Sequence, residues 1–167
     1  MFKPLSGKRL SARDRRHAAI HEAGHVTMAR HVGLNAVSAW LEEIRDPGKH
    51  DKLWIGHTEY LPPSFLNKKI SRKKIVMYAV AGAVAECCWN REAFDEDVWS
   101  DPDAMSASDW ISCGCEPSVP SPKILNIIED VFSLFSREAG ELWPAVAIEA
   151  RSLIRNSRDS ARSTALK

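Results

Sequence analysis

Ala18-Ala19-Ile20-His21-Glu22-Ala23-Gly24-His25-Val26 sets two histidines four residues apart with a glutamate after the first, the pattern H-E-x-x-H. On a helix, residues at i and i+4 share a face. His21 and His25 then project side by side and can grip one metal ion, while Glu22 sits beside it without needing to bind. Two imidazole ligands and a carboxylate that takes a proton from water are the parts of a zinc-dependent peptidase. The same pattern also arises among ordinary surface residues, or as a satisfied pair of core histidines. Two features speak for the metal. Ala18, Ala19, Ile20, Ala23, Val26, Met28 and Ala29 surround the motif with small and apolar side chains, so the helix reads as buried. Buried His and Glu need partners. Gly24 in mid-helix costs roughly 0.5–1 kcal/mol against alanine, a cost that close approach of another element explains.

A chain of 167 residues is long enough for one domain with a core and short for two. At 44% hydrophobic and 27% charged it reads as globular and soluble, and a net charge of +1 makes no global case for nucleic-acid binding. The basic segment Lys3 to Arg16 and the cluster Lys68, Lys69, Arg72, Lys73, Lys74 read as solvated surface. No apolar run reaches the length of about 18 residues that spans a membrane, and no apolar stretch behind the N-terminus reads as a secretory signal. Cysteines occur as Cys87-Cys88 and Cys113-Gly114-Cys115, without C-x-x-C spacing. Reduced thiols and a cytoplasmic location are the expectation.

A basic flexible tail is expected over residues 1–11, a single domain over 12–157 and a second flexible tail over 158–167. Helical spacing predicts a helix from Ala12 to His31, stopped near Gly33. Val37 to Ile44 and Leu53 to Tyr60 alternate in the manner of strands, with Asp46-Pro47-Gly48 as turn chemistry between them. Leu61-Pro62-Pro63-Ser64 breaks the chain, and a helix from Lys69 to Trp89 follows, small and apolar from Ala79 to Ala85. Residues 90–102 are acidic and read as irregular. Ser106-Ala107-Ser108-Asp109 has the form of a capping box, so a short helix starts there. Helices from Lys123 to Ser136 and Glu141 to Asn156 close the fold, with Pro144 in the first turn of the last. The fold class is mainly α, a helical zincin-like peptidase domain with a small hairpin beside the active-site helix.

A catalytic zinc takes a third protein ligand and keeps one position for water. His17 shares the face of His21, but a ligand one turn back on the same helix strains a tetrahedral site, and His31 points elsewhere. The candidates on other elements are Glu86, Asp103 and Asp109, with His50 and His57 behind them. Glu86 ends the small-apolar helix, where an isolated charge is costly. Asp109 sits at a helix start, where the dipole favours its anion, although a plain helix cap has the same spacing.

Four segments resemble the FtsH-type zinc peptidases. Ala18 to Val26 resembles that family's A-x-H-E-A-G-H-A, and Ala81-Gly82-Ala83-Val84-Ala85-Glu86 its G-G-R-A-A-E. Ser106-Ala107-Ser108-Asp109-Trp110 is similar to its G-A-S-x-D-L, and Ile55-Gly56-His57-Thr58 to the L-G-Y-T of the strand beside the substrate cleft. Order and approximate spacing agree from residue 12 to residue 156. The resemblance implies His21, His25 and Asp109 as zinc ligands, Glu22 as the base, and Ile55, Gly56, His57 and Thr58 as the substrate strand. Asp103 fits the continuation of the aspartate motif nearly as well, so it stays as the alternative ligand. Glu86 is expected to orient a ligand histidine rather than bind the metal.

Family members carry transmembrane helices and an ATPase module. This chain shows no membrane span and no G-x-x-x-x-G-K-[ST] loop, so a stand-alone peptidase domain that uses no ATP is expected. The function expected is zinc-dependent endopeptidase, with one zinc per chain and a peptide or unfolded protein as substrate; a homo-oligomer stays open. Two alternatives remain: a catalytically silent zinc-binding regulatory or adaptor domain on the same scaffold, and a deformylase or amidase. The second is weaker, because deformylases use an upstream cysteine ligand and no cysteine precedes His21.

Overall fold

Helix α1 (Gly7–Val32) carries the histidine pair along one side of the molecule. The structure is a computed structural model and describes residues 7–34, 37–44, 53–60 and 69–164. Of residues 7–12 and 158–164 it describes the helical backbone alone. The Asp46-Pro47-Gly48 turn, the Leu61-Pro62-Pro63-Ser64 break, His50, Lys68, and residues 1–6 and 165–167 lie outside the described residues.

The first helix starts at Gly7 rather than Ala12. Lys8, Arg9 and Leu10 are good helix formers, so the helix reaches back into the segment expected as a tail, to Gly7 among the described residues. It ends where expected. Gly33 has φ +82°, and Leu34 N–H returns to the Ala29 carbonyl at 2.8 Å, a left-handed stop that glycine adopts without strain.

Strands β1 (Ser38–Glu43) and β2 (Trp54–Glu59) form a two-stranded antiparallel sheet, with Trp40 opposite His57 and Leu41 opposite Gly56. Period-two alternation divides β2 into two faces. Trp54 is 7% exposed and turns toward α1, whereas Ile55 is 40% exposed and turns away. Asp14 of α1 accepts the backbone N–H groups of Leu53 and of Trp54, the latter at 2.9 Å, and so ties the start of β2 to the helix.

Helix α2 (Arg72–Trp89) is capped by Ser71, whose side chain accepts from Lys74 N, which is why it starts later than Lys69. It is buried without interruption from Val76 to Ala85, the mark of a central helix. Gly24 explains how near α1 lies: a Cβ there would stand 2.5 Å from the Ala81 carbonyl oxygen and 2.7 Å from Ala85 Cβ. The mid-helix glycine is therefore the close-approach point that its helix cost implied.

The acidic segment is more regular than expected. Two 3-10 turns, Glu96–Ser100 and Pro102–Ala104, are capped by the Asp95 and Asp101 side chains, and Trp99 is buried between them and the core. Helix α3 (Ala107–Cys113) follows, capped by Ser106 as the capping box predicts and stopped by left-handed Gly114. Helix α4 (Pro122–Phe135) is capped by Ser121. Helix α5 (Trp143–Thr164) holds Pro144 in its first turn and continues past Asn156 through the segment expected as a tail. The core lies between α1, α2, α4 and α5 around Val26, Val80, Val84, Ile128, Val131, Phe135 and Val146. The architecture is mainly α with one small hairpin, as the sequence implies. No helix among the described residues is long and apolar enough to cross a membrane.

Candidate metal centre

The close packing of α1 on α2 brings α2 polar groups to the far side of both histidine rings. His21 Nδ1 donates to Glu86 Oε1 at 3.2 Å, and His25 Nδ1 donates to the main-chain carbonyl of Tyr78 at 2.8 Å. Each acceptor fixes its ring with the proton on Nδ1, and so turns the Nε2 lone pair inward. The two Nε2 atoms meet at 3.1 Å. Asp109, on the first turn of α3, completes the group: its two oxygens lie 3.8 Å from His21 Nε2 and 3.8 Å from His25 Nε2. Ser106 Oγ donates to Asp109 Oδ2 at 2.7 Å while accepting the Asp109 N–H, so one serine caps the helix and holds the carboxylate.

Two inward lone pairs at 3.1 Å repel unless something positive lies between them. A shared proton or a bound cation supplies that charge. Burial by itself lowers the His21 pKa, but the hydrogen bond and charge of Glu86, then Glu22 and Asp109, outweigh it and raise the value above 6.5. The His25 pKa falls, by burial first and then by the charge on His21, against the pull of Asp109, Glu22 and the Tyr78 carbonyl. Of the two, His21 is the histidine that takes a proton more readily.

A divalent ion fits the same place. Two atoms bonded to one ion at about 2.0–2.1 Å each are at most about 4.2 Å apart; the two Nε2 atoms at 3.1 Å satisfy this, as does each Nε2 with a different Asp109 oxygen at 3.8 Å. Among the described residues, His21, His25 and Asp109 are the one trio of possible ligand side chains whose atoms all lie within 4.8 Å of one another. Gly82 of α2 keeps the space open: a Cβ there would stand 2.5 Å from each Nε2.

Glu22 is buried beside the trio, and Thr58 Oγ1 donates to its Oε2. The remaining candidates separate cleanly. Glu86 reaches the outer nitrogen of His21 and not the inner one. Asp103 is exposed in the second 3-10 turn, where its N–H is capped by Asp101 at 2.9 Å. Gly56 and Thr58 face Glu22, whereas Ile55 and His57 lie on the opposite face of β2; there His57 stacks on Trp40 and pairs with Glu42 at 3.1 Å. The cysteines are free and take no part in the trio. Burial pushes the Cys87 and Cys113 thiols up to about 12 and Cys88 up to about 11.

Several contributors carried no readable role in the sequence. The Tyr78 carbonyl has none, since any residue supplies one. Ser106 was legible as a cap but not as the support of Asp109. Gly82 showed only as part of a small-residue run. Compared with known proteins, the chain matches no family model and no curated protein.

Proposed function

We propose that the protein is a zinc-dependent endopeptidase in which His21, His25 and Asp109 hold the metal and Glu22 is the general base. The observation that carries this reading is the pair of Nε2 atoms 3.1 Å apart, each ring locked by its Nδ1 partner, with a carboxylate facing both. Two nitrogens and one oxygen are a donor set that suits zinc and leave a position for water. Zinc bound there lowers the pKa of water toward about 7 and polarises a carbonyl.

Glu22 takes the proton from the attacking water as the new C–O bond forms, then hands it to the amine nitrogen as the C–N bond breaks. Glu86 and the Tyr78 carbonyl hold the two imidazoles in the tautomer that metal binding needs. Ser106 holds Asp109 in place. Among the described residues β2 has one strand partner, β1; in this reading an extended substrate chain pairs with β2 beside Glu22, beyond the Trp54 N–H that Asp14 holds. Backbone pairing of that kind suits an unfolded polypeptide substrate with little sequence selectivity. The resemblance of the four motif segments to FtsH-type zinc peptidases supports the same reading.

The test is metal content and activity together. Purified protein should carry about one zinc per chain and cleave unfolded casein. Glu22→Gln keeps size and hydrogen bonding but cannot accept the proton, so zinc content should hold while activity falls by about 100-fold or more. Equal activity in wild type and variant would refute the assignment of the base.

A further inference from the structure

Glu22 is 6% exposed, and a buried carboxylate needs donors. Thr58 supplies one through Oγ1 to Oε2. Two residues earlier, Gly56 lies so close to the same side chain that a Cβ there would overlap Glu22 Cγ, Cδ and Oε1. Residues two apart on a strand share a face, so β2 brackets the carboxylate, with bare backbone on one flank and a hydroxyl on the other. The strand is itself anchored to the helix that bears Glu22, since Asp14 accepts the Trp54 N–H at 2.9 Å two turns ahead of the base.

We infer that Thr58 is the positioning residue for the base: its hydroxyl holds Glu22 Oε2 and leaves Oε1, against the Gly56 backbone, to take the proton from water. The inference rests on the peptidase reading and adds the group that sets the base in its working orientation. The proton passes from the water oxygen to Oε1 as the C–O bond forms and leaves for the amine nitrogen as the C–N bond breaks. Thr58 keeps its own proton throughout. In the peptidase reading the strand that would carry the substrate backbone is thus the strand that orients the base, so substrate register and base position are set by one element. A one-residue slip of β2 would turn Thr58 to the outer face and abolish the contact.

None of the described contacts of Thr58 is to His21, His25 or Asp109, which separates its role from metal binding. Thr58→Val keeps the shape and removes the donor; Thr58→Ser keeps the donor. Both are made in the full chain, loaded with zinc and checked for folding by circular dichroism. Zinc affinity is read by chelator competition, and kcat and KM on unfolded casein. Thr58→Val should lower kcat by about 10- to 100-fold, as displaced catalytic groups do, with KM and zinc affinity unchanged. Thr58→Ser should restore most of the turnover. Thr58→Ala replaces the valine variant if valine does not fold, with the same expectation. Wild-type kcat in the valine or alanine variant would overturn the inference and leave the peptidase reading standing. A serine variant as slow as valine would also overturn it, because shape rather than the hydroxyl would then matter. A zinc-loaded wild type that cleaves nothing would overturn the peptidase reading and this inference with it.

Discussion

Gly82→Ala tests whether an ion is seated between the two inner nitrogens. The ideal Cβ would stand 2.5 Å from His21 Nε2 and from His25 Nε2, about 0.9 Å inside the 3.4 Å at which ordinary contact begins. Gly82 lies in the middle of α2, so the methyl group cannot swing aside; the rings must move. A displacement of that size carries the 2.8 Å bond from His25 Nδ1 to the Tyr78 carbonyl out of hydrogen-bond range. Loss of such an orienting partner typically costs about 10- to 100-fold in metal affinity, and here both rings are affected at once. In fold stability two effects oppose one another. Alanine gains about 0.5–1 kcal/mol over glycine in a helix interior, against about 1–3 kcal/mol for overpacking. The assay is zinc affinity by chelator competition, with thermal melts of the metal-free and zinc-loaded forms. Whatever the melting point of its metal-free form, the variant should lose most of the upward shift that zinc confers on wild type. Wild-type zinc affinity in Gly82→Ala would refute the reasoning, because the ion could not then lie where the two nitrogens face α2.

Asp109→Ala should weaken zinc binding by removing a ligand, whereas Asp103→Ala, which keeps the backbone N–H that Asp101 caps, should leave zinc affinity and stability nearly unchanged; chelator competition on both variants decides, and the reverse outcome would refute the assignment. Zinc uptake should release protons at pH 7, because the His21 pKa lies above 6.5 and its proton must leave before the metal binds. Affinity should therefore fall as pH drops through that raised value, and a calorimetric enthalpy that does not depend on the buffer would contradict this. With thiols pushed up to about 11–12, Cys87, Cys88 and Cys113 should react slowly with a disulfide reagent at pH 8. Cys115, less buried than Cys88 and Cys113, should react first, and all four should react after denaturation; a fast Cys88 or Cys113 in the native protein would count against their burial.

Local chemistry made much of this protein legible from its residues alone. The i, i+4 pairing of His21 and His25 follows from helical periodicity, the stop at Gly33 from glycine's freedom at positive φ, and the start of α3 from the Ser106 cap. The hairpin follows from alternation, and the close helix contact from the cost of Gly24. Each rests on neighbours within a few residues. That the two end helices run on into both segments expected as tails was not legible, because a helix extends wherever good helix formers continue. What depended on contacts between distant segments came only with the tertiary structure. Tyr78 reaches His25 across 53 positions and Thr58 reaches Glu22 across 36; Glu86 was expected to orient a histidine, but that it reaches His21, 65 positions away, and not His25 came from the packing of α2. Asp109 and Asp103 fit the sequence pattern almost equally. The turn of the chain between the two 3-10 segments and α3 exposes one and buries the other beside the histidines. The faces of β2 were likewise unassigned, since alternation says that Thr58 and His57 point opposite ways but not which one meets α1. Packing of the strand on the helix, anchored at Asp14, made that choice.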